Sequence, residues 1–156
     1  MKQLPLTQGK FAFIDDEDYP RAIKIKWQYS KFGYAAHAFY IKKGKAGCLW
    51  LHRFIMNTPK GMYTDHINFN KLDCRKENLR ICTYAQNNQN RKLRIDSKHR
   101  YKGVGFNKRY GKWYSRITFN SKRRFLGSFL TEELAAQAYN KAAKIYYKNF
   151  AVLNVV

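Results

Sequence analysis

Acidic residues are scarce in this chain: ten Asp and Glu face 31 Lys and Arg, a formal net charge of +21. A folded surface so one-sided repels itself and is usually kept because it attracts a polyanion, so nucleic acid is the implied partner. Cysteine is also sparse. Cys48, Cys74 and Cys82 are odd in number and form no Cys-x-x-Cys pair, which supports neither a disulfide framework nor a cysteine zinc site. No apolar run approaches the length of a membrane span, and the first twenty residues lack the apolar core of a signal peptide. The expectation is a soluble intracellular protein with no membrane partner.

What the chain does contain argues for folded domains. Aromatic residues make up 17% and hydrophobic residues 45%, too much for a disordered basic arm. At 156 residues there is room for one ordinary domain or two small ones.

Along the chain, the run Lys10 to Ile14 ends in the acidic cluster Asp15, Asp16, Glu17 and Asp18. With Pro20 at an early helical position, that cluster predicts a short helix through Arg21 to Lys26. Aromatic-rich segments at Trp27 to Ser30, Tyr34 to Lys42 and Cys48 to Leu51 are broken at Gly33 and at Lys43-Gly44-Lys45, which predicts a small antiparallel sheet with hairpin turns. Its expected role is to buttress the segment C-terminal to it. A short helix is expected over His52 to Met56, and a lone histidine such as His52 is more often structural than catalytic.

Chemistry concentrates between Met62 and Arg91. Met62 to His66 reads as a strand delivering Asp65 and His66 to its end. The Asn- and Asp-rich stretch Asn68 to Asp73 reads as a loop, and Leu79 to Cys82 as the returning strand. Thr83-Tyr84-Ala85-Gln86 fits a capping box, so a helix should begin at Tyr84 and carry Asn87 in its first turns. Hydrolysis of a phosphodiester needs an activated water and neutralisation of charge at phosphorus. A neutral imidazole can take the proton, while Asp65 and Asn87 offer hard oxygen ligands suited to Mg2+ or Mn2+, with water and phosphate completing the shell.

This segment, roughly His52 to Arg91, resembles the HNH nucleases and their ββα-metal fold. The matching residues are Asp65-His66, Asn78 in Glu77-Asn78-Leu79-Arg80, and Asn87 in Gln86-Asn87-Asn88. The resemblance implies that His66 is the general base, that Asp65 and Asn87 bind one divalent metal, and that Asn78 braces the loop. His52, Arg53 and Arg91 are further possible site residues. The variant ending in Asn is like that of phage HNH homing endonucleases, which implies a phage-encoded enzyme working in the host cytoplasm. Many HNH proteins carry zinc-binding cysteine pairs; this chain has none, so no zinc is expected.

From Lys92 the sequence turns basic and loses its apolar pattern, which marks a linker over 95–100. Beyond it, Gly103 to Asn107, Trp113 to Phe119 and Arg123 to Phe129 read as a three-strand meander. Trp113, Ser115, Ile117 and Phe119 should face the core, and Tyr114, Arg116 and Thr118 the other side. Thr131 should cap a helix burying Ala135, Ala138, Tyr139, Ala142, Ala143 and Tyr146 and ending near Asn149.

Lys102-Gly103-Val104, Gly111-Lys112-Trp113, Leu126-Gly127-Ser128-Phe129, Glu132 to Tyr139 and Ala151 to Asn154 together resemble the plant APETALA/ethylene-response DNA-binding domain. That resemblance implies a three-stranded sheet laid in the DNA major groove. Carried over by position, Lys102, Asn107, Arg123, Phe125 and Ser128 approach DNA, and strand alternation adds Arg116 and Thr118. Gly105, Asn107 and Thr118 stand where the plant pattern usually has arginine, so the plant recognition site does not transfer.

The expected architecture is α+β. A nuclease domain over 1–94, with a β-rich N-terminal extension, is joined by the linker to a DNA-binding domain over 101–156, a three-stranded antiparallel sheet packed on one helix. The expected activity is site-directed cleavage of double-stranded DNA. The alternative is a DNA-binding regulator with a degenerate HNH unit that no longer cuts, against which the complete set of Asp65, His66, Asn78 and Asn87 argues. An RNA-binding ribosomal role accounts for the charge but for neither pattern. The sequence leaves open the oligomeric state and the choice between nicking and double-strand cutting.

Overall fold

The structure, a computed structural model, describes residues 1–42, 44–93 and 99–156. Lys43 of the expected turn and most of the expected linker lie outside them. The protein is of mixed α+β type, with small antiparallel sheets and few helices, and it divides into two compact units, Met1–Tyr84 and Ala85–Val156.

In the first unit, strand β1 (Lys2–Pro5) pairs antiparallel with β2 (Phe11–Ile14). Alternation along this hairpin buries Leu4, Ala12 and Ile14, each at most 1% exposed. The helix expected over Arg21 to Lys26 is instead the single turn α1 (Tyr19–Ala22), with Pro20 in its first positions. The reason is local: the Ala22 carbonyl accepts the Trp27 indole N–H at 2.9 Å and the Ile25 N–H at 3.1 Å, which turns the chain inward. Strands β3 (Gln28–Tyr29), β4 (Ala35–Lys42) and β5 (Lys45–Trp50) form an antiparallel sheet in that order.

Helix α2 (Leu51–Ile55) begins directly after β5 and buries Leu51 and Ile55. Strands β6 (Tyr63–His66) and β7 (Leu79–Cys82) pair antiparallel, and helix α3 (Tyr84–Gln89) begins after Thr83. One apolar core runs through the first unit, including Ile14, Trp27, Leu51, Ile55, Cys74 and Leu79. The long β6–β7 loop is stitched to β2: the Phe13 N–H donates to the Leu72 carbonyl, and the Cys74 N–H to the Phe13 carbonyl, both at 2.8 Å.

In the second unit, β8 (Val104–Asn107), β9 (Lys112–Phe119) and β10 (Lys122–Phe129) form a meander in the order β10-β9-β8, and α4 (Glu132–Tyr147) comes after it. The Thr131 hydroxyl caps α4 by accepting the Leu134 N–H at 3.2 Å. Ser115 and Ile117 are fully buried on the face turned to the helix, and Trp113 and Phe119 pack at its two ends. The helix buries Ala135, Ala136, Tyr139, Ala142, Ala143 and Tyr147. Ala136 and Tyr147 thus replace the expected Ala138 and Tyr146. The Tyr147 hydroxyl reaches the Thr118 carbonyl at 2.6 Å and fixes the last turn's orientation. Asn154 clasps both ends of the unit, accepting from the Lys102 N–H at 2.7 Å and donating its own N–H to Asn140 Oδ1 at 2.8 Å.

Candidate functional site

The β6–β7 hairpin sets Asp65 opposite Arg80 and His66 opposite Leu79. Both side chains of interest are withdrawn from solvent, Asp65 at 9% and His66 at 5% exposure. A buried carboxylate requires a partner. Asp65 Oδ2 accepts Arg80 Nε at 2.9 Å and Nη2 at 2.8 Å, an arginine that strand register alone brings across.

His66 packs in an aromatic nest. Its ring centroid lies 5.0 Å from that of His52 and 5.9 Å from that of Tyr34, and its Nε2 is 3.9 Å from Cys74 Sγ. Burial pulls the His66 pKa down to about 4, against the opposing pull of Asp65 and Asp73. The imidazole is therefore neutral at neutral pH and has a lone pair to accept a proton. His52, on α2, is held lower still at about 3, chiefly by burial and then by His66 and Arg53, and its Nδ1 is buried without a hydrogen-bond partner among the described residues. Burial also raises Cys74 to about 12 and Cys82 to about 11, so both remain thiols.

Asn78 lies across the loop between the two strands. Its Oδ1 accepts the Asn68 N–H at 2.9 Å, its Nδ2 donates to the Asp73 carbonyl at 2.7 Å, and its carbonyl accepts the Ile67 N–H at 2.9 Å. The loop's own asparagines shape its turns: Asn68 Oδ1 accepts the Asn70 N–H at 2.8 Å, and Asn70 Oδ1 the Leu72 N–H at 3.1 Å. Asp73 takes two hydrogen bonds from Arg75 and one from Asn68, and the Arg75 bonds hold its carboxyl below the usual range. The acidic cluster near the N-terminus anchors the same loop, through Asp15 on the Lys76 N–H and through Glu17 and Asp18 on its ammonium.

Asn87 is half-buried on α3, within the second unit. Arg53 is engaged structurally, donating to the carbonyls of Met62, Thr58 and Pro59. Arg91 offers its carbonyl to Lys102 at 2.8 Å. Sequence reasoning missed Arg80, Tyr34 and Cys74. For Arg80 a signal existed, because the fifteen-residue separation from Asp65 becomes a direct pair once the hairpin register is known.

In the second unit the sheet has an open face. Register places Thr118 beside Arg123, Arg116 beside Phe125 and Tyr114 beside Ser128. Arg116, Thr118, Arg123, Phe125 and Ser128 are all exposed, Phe125 at 67%. The Arg116 guanidinium stands 5.3 Å from the Tyr114 ring. The Tyr114 ring in turn occupies the space over Gly105, where a Cβ would come within 2.5 Å of it, so any larger residue there would have to displace the tyrosine.

Two of the residues expected to approach DNA are otherwise engaged. The Lys102 ammonium donates to the carbonyls of Gln89 at 2.7 Å and Arg91 at 2.8 Å, and burial lowers its pKa to about 8. Its side chain ties the chain at Gln89 and Arg91 to the stretch just before β8. Asn107 Oδ1 accepts the Arg109 N–H at 3.1 Å and shapes the β8–β9 turn.

Comparison with known proteins bears on both units. The HNH endonuclease family matches residues 57–89. An uncharacterized HNH endonuclease of Acanthamoeba polyphaga mimivirus is 32% identical over 155 residues, covering 96% of this chain and 77% of that protein. Protein 3.8 of Escherichia phage T7 is 28% identical over 88 residues, 56% of this chain and 73% of that one. An ethylene-responsive transcription factor of Arabidopsis thaliana is 46% identical over 54 residues, 33% of this chain and 29% of the plant protein.

Proposed function

The chain belongs to the HNH endonuclease family, and from that footing we propose that it is a site-directed DNA endonuclease of the phage homing type. It hydrolyses phosphodiester bonds with His66 as general base and one divalent ion, Mg2+ or Mn2+, held by Asp65 and Asn87. The observation that carries this reading is the neutral, sterically fixed imidazole of His66 at the end of the strand that also bears Asp65. The β6–β7 hairpin with α3 after it supports the ββα-metal architecture.

The donor set fits a hard cation: a carboxylate from Asp65 and an amide oxygen from Asn87. Among the described residues no three His, Cys, Asp or Glu gather in one cluster, so such a site relies on water and phosphate for its remaining positions. When bound, the ion neutralises charge developing at phosphorus and helps the 3′ oxygen depart. The work of the chain's own groups is separate from this. His66 accepts the proton of the attacking water. Tyr34 and His52 fix the plane of its ring. Asn78, by closing the loop on Asn68 and Asp73, holds the strand end that carries it. Arg80 orients the Asp65 carboxylate.

The functional division we propose is a nuclease domain over 1–94, a basic linker over 95–100 and a DNA-binding domain over 101–156. The last lays the open sheet face on double-stranded DNA, with Arg116, Thr118, Arg123, Phe125 and Ser128 toward the groove and Asn107 at its edge. A three-stranded sheet can enter the major groove by its face. The similarity to an ethylene-responsive transcription factor supports this assignment.

The test is cleavage of supercoiled plasmid with Mg2+, with Mn2+ and with EDTA, by the wild type and by Asp65→Asn. Metal-dependent relaxation or linearisation that the variant lacks is the expected result. Cleavage indifferent to EDTA would overturn the metal assignment, and binding without cleavage would leave a DNA-binding regulator.

A further inference from the structure

His37 packs on Trp27, with ring centroids 6.3 Å apart, and its Nδ1 meets the Lys26 carbonyl at 2.9 Å; beyond it, among the described residues, no hydrogen bond or ring contact ties the outer half of the β4–β5 hairpin to another element. Strand β3 pairs with β4 at Ala35 and Ala36, so from His37 outward β5 is the only strand paired with β4 among the described residues, and the sheet becomes a two-stranded ribbon. Both of its faces are open. Phe39, Tyr40 and Ile41 are 44%, 72% and 56% exposed, and the Phe39 ring covers Gly47, where a Cβ would fall 2.4 Å from it. Large apolar side chains on both sides of a solvated ribbon call for an occupant.

Charge identifies the occupant. The ribbon's last pair is Lys42 and Lys45, and the sequence has no acidic residue between Asp18 and Asp65. The acids that bound this span are engaged, Asp18 with Arg21 and Asp65 with Arg80. A second copy would set one acid-free, basic span against another, and two chains of net charge +21 repel. Duplex DNA meets the cations with phosphates and the aromatic residues with base edges, and its major groove admits a two-stranded ribbon.

We propose that the β4–β5 ribbon is a second DNA-reading element, built into the nuclease unit itself. The inference rests on the endonuclease reading. Its base is fixed to the reacting centre: Trp50, paired with Ala36, stacks on His52 at 6.4 Å, and His52 carries the His66 ring. Six residues from His37 to Lys42 span about 20 Å at roughly 3.3 Å per residue. Along the duplex axis that is about six base pairs, so the ribbon reads bases about half a turn or more from the cut, separately from the C-terminal sheet.

The test uses the full chain and a short duplex in EDTA. Affinity is measured against salt for the wild type, Lys42→Glu/Lys45→Glu, Tyr40→Ala/Ile41→Ala and His66→Ala, and a photocrosslinker at position 40 reports contact. The four ribbon side chains are exposed, so the thermal midpoints of the two ribbon variants should be unchanged. The lysine variant should lower the salt slope by about one per cation removed, the apolar variant should weaken binding at every salt concentration, and position 40 should crosslink to DNA. His66→Ala should alter neither the salt slope nor the crosslink. A wild type that cuts plasmid with Mg2+, while the ribbon variants keep its salt slope and position 40 does not crosslink, overturns the ribbon alone. Crosslinking by a wild type that never cuts upholds the ribbon and overturns the nuclease reading. A protein that binds no duplex overturns both. A change in sedimentation of the ribbon variants, with DNA binding intact, would assign the ribbon to a second copy and overturn the proposal.

Discussion

The His66 imidazole rests against the His52 ring with centroids 5.0 Å apart and planes at 66°. One histidine thus supports the other. Replacing His52 by Ala should open a cavity under His66, costing about 3 kcal/mol of stability by comparison with other ring-to-alanine changes in cores. Cleavage should fall with it. His52→Phe keeps a ring in place and removes an unpartnered buried nitrogen, so it should be at least as stable as the wild type and cut far better than the alanine variant. Thermal unfolding and single-turnover cleavage check both.

The same pair sets a pH dependence. His52 titrates near 3 in the folded chain, against 6.5 when unfolded. A depressed histidine leaves stability intact above pH 6.5 and erodes it as pH falls toward the folded value, because only the unfolded chain takes up the proton. Within that window each such proton lowers the folding constant up to tenfold per pH unit. His66, at about 4, adds a second proton over a narrower range. Urea midpoints measured from neutral to acid pH should fall less steeply for His52→Phe than for the wild type.

Asn78 offers a separate test. Asn78→Ala removes the acceptor of the Asn68 N–H and the donor to the Asp73 carbonyl. Leaving such groups unsatisfied costs about 1–3 kcal/mol. Asn78→Asp keeps the acceptor but sets a buried carboxylate oxygen against the Asp73 carbonyl, so it should cost more. Cleavage should decline in the same order, which melting curves and rates measured together would establish.

The elements that could be read from sequence were those built by local rules. Alternation and turn chemistry located the strands around Asp65 and Leu79, the helix from Tyr84 and the meander with its Thr131 cap. What local patterns do not encode is pairing at a distance. The strand Lys2–Pro5 has no signal of its own and exists through β2. Burial of His52 depends on Tyr34 and Trp50 reaching it from the sheet. Arg80 gains meaning only from register. The length of α1 was misjudged because Trp27 captures the Ala22 carbonyl, a contact no helix propensity contains. The two carbonyl partners of Lys102 are likewise invisible in composition.

On the C-terminal sheet, Arg116 and Phe125 are neighbours that should fail in different ways. Arg116→Ala should weaken DNA binding and lower the salt slope by about one. Phe125→Ala should weaken binding with the slope unchanged, since apolar contact to base edges releases no counterion. Binding isotherms over a salt series distinguish the two.

The central claim is that His66 takes the proton of the attacking water. Its most direct measurement is single-turnover cleavage of a saturated plasmid substrate by His66→Ala beside the wild type, with Mg2+ or Mn2+ present. The expected result is a rate lower by about 10²–10⁴ with DNA affinity retained. Equal cleavage by the two proteins would contradict it.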